Sequence, residues 1–308
     1  MRNLHFFLYS LFVLNLGCDK LSNGVVNYID FPEHTPQVSA TVIISQDASQ
    51  INALIFSSSS VQDSLGSLII DNAVITISDV NDVPLYVLDE NNLSDDMYTL
   101  DLNEDVMLST DDYKLNIDVP DLDNVSATTD MPRTPDFDLE YFPNFDTIPS
   151  PFEGEYIRDL IEIDFKNDVT IKESFMVYLQ IEYRDVNTEE LFQNGEVRFE
   201  TEGDPRLTFN ETVNGLMISD ATVLSATTGL ENISIYFRVK EEIGFFEINS
   251  ITCRIEAVSV SLANHYTSIN DYLTAGGNPF AEPDLLYSNL SSGFGCFGMS
   301  NSVLIELK

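Results

Sequence analysis

Tyr113-Lys114-Leu115-Asn116-Ile117-Asp118-Val119 alternates apolar and polar residues without a break, and this seven-residue run decides the fold class. Side chains of an extended strand point alternately to opposite faces, so such a run buries one face and wets the other. The same period recurs in Val38-Ser39-Ala40-Thr41-Val42-Ile43-Ile44 and in Ala73-Val74-Ile75-Thr76-Ile77, each bounded by Asn, Asp, Ser or Gly clusters. Short strands at close spacing with polar turns predict an immunoglobulin-like β-sandwich over residues 28–131. No run long enough for a helical crossover separates them, which argues against a parallel α/β sheet.

Further along, five of the twelve prolines fall between Pro132 and Pro151 (Pro132, Pro135, Pro143, Pro149 and Pro151). Proline cannot donate to a central ladder, so residues 132–156 are predicted to be an extended connector packed by Phe137, Tyr141, Phe142 and Phe145. Beyond it, residues 157–308 return to strand patterns at Leu160–Phe165, Phe175–Tyr183, Ile233–Val239, Ile251–Val260 and Val303–Leu307. One exception stands out. Leu262, Tyr266, Ile269 and Leu273 are spaced as one stripe of a three-turn helix, closed by Gly276 and Gly277. The expected fold is therefore all-β: an N-terminal immunoglobulin-like sandwich, then a second β-rich sandwich-type domain with one short helix near its C-terminus.

The N-terminus reads differently. Met1-Arg2-Asn3-Leu4-His5 precedes the apolar run Phe6 to Leu14, the pattern of a secretory signal peptide over residues 1–17 and too short for a membrane span of roughly 20 residues. Gly17 directly before Cys18 is the lipobox arrangement, predicting acylation of the Cys18 thiol and cleavage before it. Several acyl chains on one residue anchor stably, whereas one chain is marginal. Residues 18–27 then form a lipidated polar tether, and the mature chain is expected at a membrane outside the cytosol.

Charge bounds the partners. With 14 Lys and Arg against 51 Asp and Glu, the net charge of the 308-residue chain is −37, at a pI near 4.1. Phosphate affinity comes from clustered basic residues, so nucleic acid is excluded as a partner. The hydrophobic share of 44% still supplies a core, so the charge does not signal a disordered tail.

Few residues promise chemistry. Beyond the leader the histidines are His34, read as a loop residue, and His265, read as a surface residue on the polar flank of the helix. Zinc sites and serine triads lean on imidazole, and no H-x-x-x-H or C-x-x-C pair occurs. Gly293-Phe294-Gly295-Cys296-Phe297-Gly298 spells a literal G-x-G-x-x-G, but ten residues of strand character follow it, not a helix and a distal acid. Its glycines instead suit a tight, aromatic-packed loop at positive φ. Carboxylates crowd Asp89-Glu90, Asp95-Asp96, Asp101, Glu104-Asp105 and Asp111-Asp112. Two readings fit this block, a solvated anionic surface or a structural calcium site, although no calcium-loop series is present. No cofactor is expected and no catalytic residue stands out. Cys253 and Cys296 leave two readings open as well: a disulfide, permitted outside the cytosol, or two buried free thiols.

The C-terminal stretch Asn278-Pro279-Phe280-Ala281-Glu282-Pro283, then Tyr287-Ser288-Asn289-Leu290 and Gly293-Phe294-Gly295-Cys296-Phe297-Gly298, resembles the ending of a Bacteroidota lipoprotein family, domain of unknown function 4249. The motif positions are Pro279, Phe280, Glu282, Pro283, Tyr287, Ser288, Asn289, Gly293, Gly295, Phe297 and Gly298. Cys296, Asn15 and the segment 164–167 depart from the family pattern. The resemblance implies a lipid-anchored outer-membrane protein with a non-catalytic binding or accessory role, alongside a TonB-dependent transporter. A structural or adhesive surface module is the alternative, and a carbohydrate- or peptide-active hydrolase ranks behind both. If the phylum is right, Asp63-Ser64-Leu65 and Asp146-Thr147-Ile148 resemble its O-glycosylation triplets, which makes Ser64 and Thr147 candidate modification sites.

Overall fold

The computed structural model describes residues 34–60, 68–102, 112–150, 154–166, 173–193, 197–200, 202–210, 215–219, 232–239, 246–276 and 285–308. The chain divides into units Met1–Thr35 and Pro36–Lys308. Of the first, His34 and Thr35 are described, both exposed and irregular. The signal peptide, Cys18 and the tether lie outside the described residues.

The second unit is built from strands. Those of its first half are β1 (Val38–Ser45), β2 (Gln50–Ser57), β3 (Leu68–Ile69), β4 (Val74–Ser78), β5 (Pro84–Leu88), β6 (Leu93–Ser94), β7 (Met97–Asp101), β8 (Asp112–Asp118) and β9 (Val125–Asp130). The sheet β5-β4-β8-β9 packs on the β1-β2-β7 part of a larger sheet. Alternation does the sorting: Ile75, Ile77, Leu115 and Ile117 face Val42, Ile44, Ile51 and Ile55 across one core. Each fully buried aliphatic side chain there is worth about 1.5–3 kcal/mol against exposure. Tyr98 is buried in the same core and stays satisfied, its hydroxyl donating to Ile70 O at 2.7 Å and accepting from Ala73 N at 3.0 Å.

A second sandwich follows, with β10 (Phe137–Ser150), β11 (Gly154–Phe165), β12 (Ser174–Asp185), β13 (Leu191–Gln193), β14 (Val197–Glu200), β15 (Leu207–Asn210), β16 (Gly215–Ser219), β17 (Ile233–Val239), β18 (Phe246–Val258), helix α1 (Val260–Gly276) and β19 (Phe294–Glu306). Sheet β10-β11-β17-β14 covers the β16-β12-β18 part of the large sheet. Ile161, Ile163, Ile233, Ile235 and Phe237 meet Phe175, Val177, Cys253 and Ile255 between them. The fold is all-β with sandwich packing and a short helix before the last strand. Among the described residues no helix is long and apolar enough to cross a membrane.

Two expectations need correcting. First, the proline-rich stretch 132–156 is not a connector, because most of it is β10, paired with β11 from Phe137↔Phe165 to Ser150↔Gly154. β10 lies at a sheet edge, where a missing N–H costs no ladder bond, and Pro143 sits in a bulge. Pro151 lies outside the described residues. Second, the glycine-rich segment is not a loop: it opens β19, nine residues ahead of the strand expected at Val303. The expected helix is present as α1, and its apolar stripe is buried most deeply at its start. Leu262 is enclosed, Tyr266 is half-buried and Leu273 is exposed.

β19 ties the two sandwiches into one sheet. Its first half runs parallel to β1, from Ser39↔Phe294 to Ser45↔Ser300. Its second half runs antiparallel to β18, from Val258↔Ser300 to Thr252↔Glu306. Phe297 and Met299 consequently belong to the core of the first sandwich, across the boundary the prolines suggested. The parallel register needs glycine. Gly295 has φ +116°, and a Cβ there would stand 1.9 Å from the Ala40 carbonyl oxygen. Gly293, at φ +125°, would meet Val38 O at 2.2 Å. Gly295→Ala is expected to destabilise by at least about 3 kcal/mol, since it adds a steric clash with backbone to a strained φ. Gly203→Ala, at φ +79° with open space around it, should cost only about 1 kcal/mol. Equilibrium urea unfolding of both variants checks the contrast.

Candidate functional site

The C-terminal motif residues form a latch. Asn289 mimics a strand neighbour: its Oδ1 accepts from Phe297 N at 2.9 Å and its Nδ2 donates to Phe297 O at 2.8 Å. Tyr287 N donates to Ser268 Oγ at 2.9 Å, and Tyr287 O lies 3.2 Å from His265 Nδ1, which fastens the segment to α1. Leu290 N donates to the Ser288 hydroxyl at 3.3 Å. Gly298 lets the helix close on the strand, because a Cβ there would come within 2.8 Å of Leu262 Cβ. His265 is therefore buried against Tyr287 rather than solvated on the surface. Pro279, Phe280, Glu282 and Pro283 lie outside the described residues, as does Ser64. Thr147 is exposed on β10, while its neighbour Asp146 is engaged by Arg158.

Both described thiols are free and buried, Cys253 in the core of the second sandwich and Cys296 under α1. The disulfide alternative does not match this structure. Burial pushes each thiol up to about 12, leaving almost no thiolate at neutral pH. Cys253 and Cys296 should stay unlabelled by a thiol reagent at pH 8 in the native protein. In urea without reductant both should label, whereas a disulfide would leave them unlabelled there too.

The acidic block does local work. The Asp89 carboxylate caps the 3-10 turn Glu90–Asn92, accepting from Asn91 N at 2.8 Å. Asp95 and Asp96 adopt positive φ in a turn, and Asp101 accepts from Gln50 Nε2 at 2.6 Å. Glu104, Asp105 and Asp111 lie outside the described residues. Among the described residues no group of three or more His, Cys, Asp or Glu is placed to hold a metal ion.

The densest electrostatic feature was not singled out by the sequence. Arg158, 5% exposed, stands on the outer face of β11. It donates to Asp146 at 2.9 and 2.5 Å, to Glu200 at 2.9 Å and to Glu202. Its guanidinium also lies over the Tyr236 ring, 4.4 Å from the centroid. Hydrogen bonds from Arg158 hold the Asp146 carboxyl below its ordinary value, and those carboxylates in turn raise Arg158. Asp146 is lowered in the folded state, so its contribution is complete above the unfolded value of 3.8 and fades as pH falls through the lower folded value. Arg158→Met removes the one guanidinium shared by three carboxylates. Because those carboxylates are partly solvated, the expected cost is about 2 kcal/mol, between exposed and buried pairs. Urea titrations from pH 7 to pH 3 should show a shallower acid limb in the variant.

A cleft of about 580 Å³ opens between the two sheets at one end of the second sandwich. Tyr141, Pro143, Asn144, Ile157 and Asp159 of β10–β11 form one wall, and Ile248, Ile251, Leu307 and Lys308 the other. Asp159 is the conspicuous residue. In the alternation of β11 it takes an inward position, in line with Ile161, Ile163 and Phe165. Its Oδ2 accepts from the Tyr141 hydroxyl at 2.6 Å and its Oδ1 from Asn144 N at 2.8 Å. Desolvation first, and then the Asp159 carboxylate, raise the Tyr141 phenol, so it remains a protonated donor. The sequence did carry a signal here, a charged residue at an apolar register position, which composition alone diluted.

No family model matches the chain and no curated protein matches it. Among solved structures, a Salmonella alpha-2-macroglobulin variant is similar over 89% of this chain and 15% of its own, at 7% identity and a TM-score of 0.23. The major pilin SpaD from Corynebacterium diphtheriae is similar over 88% of this chain and 66% of its own, at 10% identity and a TM-score of 0.22. The chain thus spans a small part of the first and about two thirds of the second. TM-scores at this level define no shared function.

Proposed function

We propose that this is an exported, lipid-anchored β-sandwich protein of the outer membrane with a non-catalytic binding or accessory role. The observation that carries it is the order of the first eighteen residues: a basic start, a nine-residue apolar run, then Gly17-Cys18. The C-terminal resemblance to a lipoprotein family points the same way, and an accessory position beside a TonB-dependent transporter extends it. Sheet edges and inter-sheet clefts are where such a body would make its contacts. The cleft supports binding over hydrolysis, since its described lining brings one side-chain carboxylate, Asp159, where glycoside hydrolysis takes a pair about 5–10 Å apart.

Metabolic labelling with a clickable palmitate analogue in cells expressing the full chain tests the anchor. The wild type should be labelled and pellet with membranes, and Cys18→Ser should lose both label and membrane association. An unlabelled wild type, or a Cys18→Ser form that still pellets, would overturn the proposal.

A further inference from the structure

We propose that the cleft of the second sandwich binds an organic ammonium: a small molecule with an apolar body and one primary or quaternary ammonium group. The inference concerns the cleft alone and does not depend on the lipid anchor.

Backbone irregularities build the cleft. The β10–β11 ladder slips between Phe142 and Asp146, lifting Pro143 and Asn144 out of register, with Asn144 at φ +52°. On the opposite sheet the β12–β18 ladder slips between Glu182 and Tyr183, beside Ile248 and Ile251. Two bulges on facing sheets bend their strands at the same end of the sandwich, and bulges recur where a strand is re-aimed next to a site. The resulting volume lies within the roughly 300–1,000 Å³ typical of small-molecule pockets.

Chemistry then narrows the ligand. Ile157, Ile248, Ile251 and Leu307 supply apolar walls. Asp159 supplies a carboxylate aimed by two neutral donors, which fix its plane and leave lone pairs for a further bond. One residue away, Arg158 serves three carboxylates on the outer face. Asp159, on the inner face, makes no ion pair among the described residues; Lys308 also lines the cleft, is exposed, and makes no ion pair with it. A half-buried carboxylate with no cation at ion-pair distance among the described residues favours a cationic ligand, and the net charge of −37 draws cations toward the molecule. A single side-chain carboxylate beside apolar walls suits an ammonium with a hydrocarbon body better than a metal ion, which takes several oxygen ligands.

Isothermal titration of the full-length protein with phenethylammonium, 2-phenylethanol and 3-phenylpropionate tests this. These three share a body and differ in charge. Phenethylammonium should bind with a low-millimolar or tighter Kd, at least about tenfold better than either isostere. Asp159→Asn should weaken it at least about tenfold, and Asp130→Asn, an exposed acid on β9, should leave it unchanged. Ile157→Trp, at a position 42% exposed, should fill the cleft and abolish binding while retaining the parent's unfolding midpoint, which keeps the test decisive if Asp159→Asn folds poorly. Equal affinity for phenylethanol, undiminished binding in Ile157→Trp, equal loss in Asp130→Asn, or no binding of phenethylammonium would each overturn the proposal.

Discussion

A single strand with two partners of opposite direction holds this protein together. β19 lies parallel to β1 over its first half and antiparallel to β18 over its second, with Ser300 paired to both Ser45 and Val258. Every other strand pairing described joins elements of one sandwich. Parallel neighbours require a long connection, and here almost the whole chain is that connection. The close approach of β1 explains the glycines at 293 and 295, and the close approach of α1 explains the glycine at 298. Asn289 completes the arrangement by bonding the Phe297 backbone from the side. The most distinctive stretch of the sequence is therefore the joint of the architecture. Its described residues serve packing and pairing.

The two faces of β11 treat charge in opposite ways. Arg158 on the outside is surrounded by Asp146, Glu200 and Glu202 and capped by Tyr236, so its charge is matched within the protein. Asp159 on the inside has a phenol and a backbone amide for company. An ion-paired cluster rigidifies a sheet face, and an unpaired carboxylate in a cleft with apolar walls invites a partner. Adjacent residues of one strand thus divide between holding the fold and offering a site.

Much of this was legible in the sequence, and the failures have a common cause. Tyr113–Val119, Val38–Ile44 and Ile233–Val239 declared themselves as strands because each has one buried face and alternates accordingly. β10 did not, because its prolines read as interruption unless the strand is known to lie at an edge. The opening of β19 did not either: Gly293 and Gly295 suggest a turn locally, and only the backbone of β1, some 255 residues earlier in the register Ala40↔Gly295, gives them a strand's role. The buried state of His265 likewise follows from a contact with Tyr287, twenty-two positions away. Local pattern reports faces; it cannot report which neighbour closes on a face. Asp159 shows the remaining gap, since in a chain with 51 acids one inward carboxylate is visible only once the register of β11 is fixed.

If β19 couples the sandwiches, they must lose structure together. Hydrogen exchange followed by mass spectrometry across a urea series measures this directly. Amides in 115–117 of the first core and 161–163 of the second should give the same opening free energy and the same denaturant dependence, marking one cooperative unit. Two separate opening isotherms, with the first sandwich exchanging at urea concentrations where the second remains protected, would contradict the account.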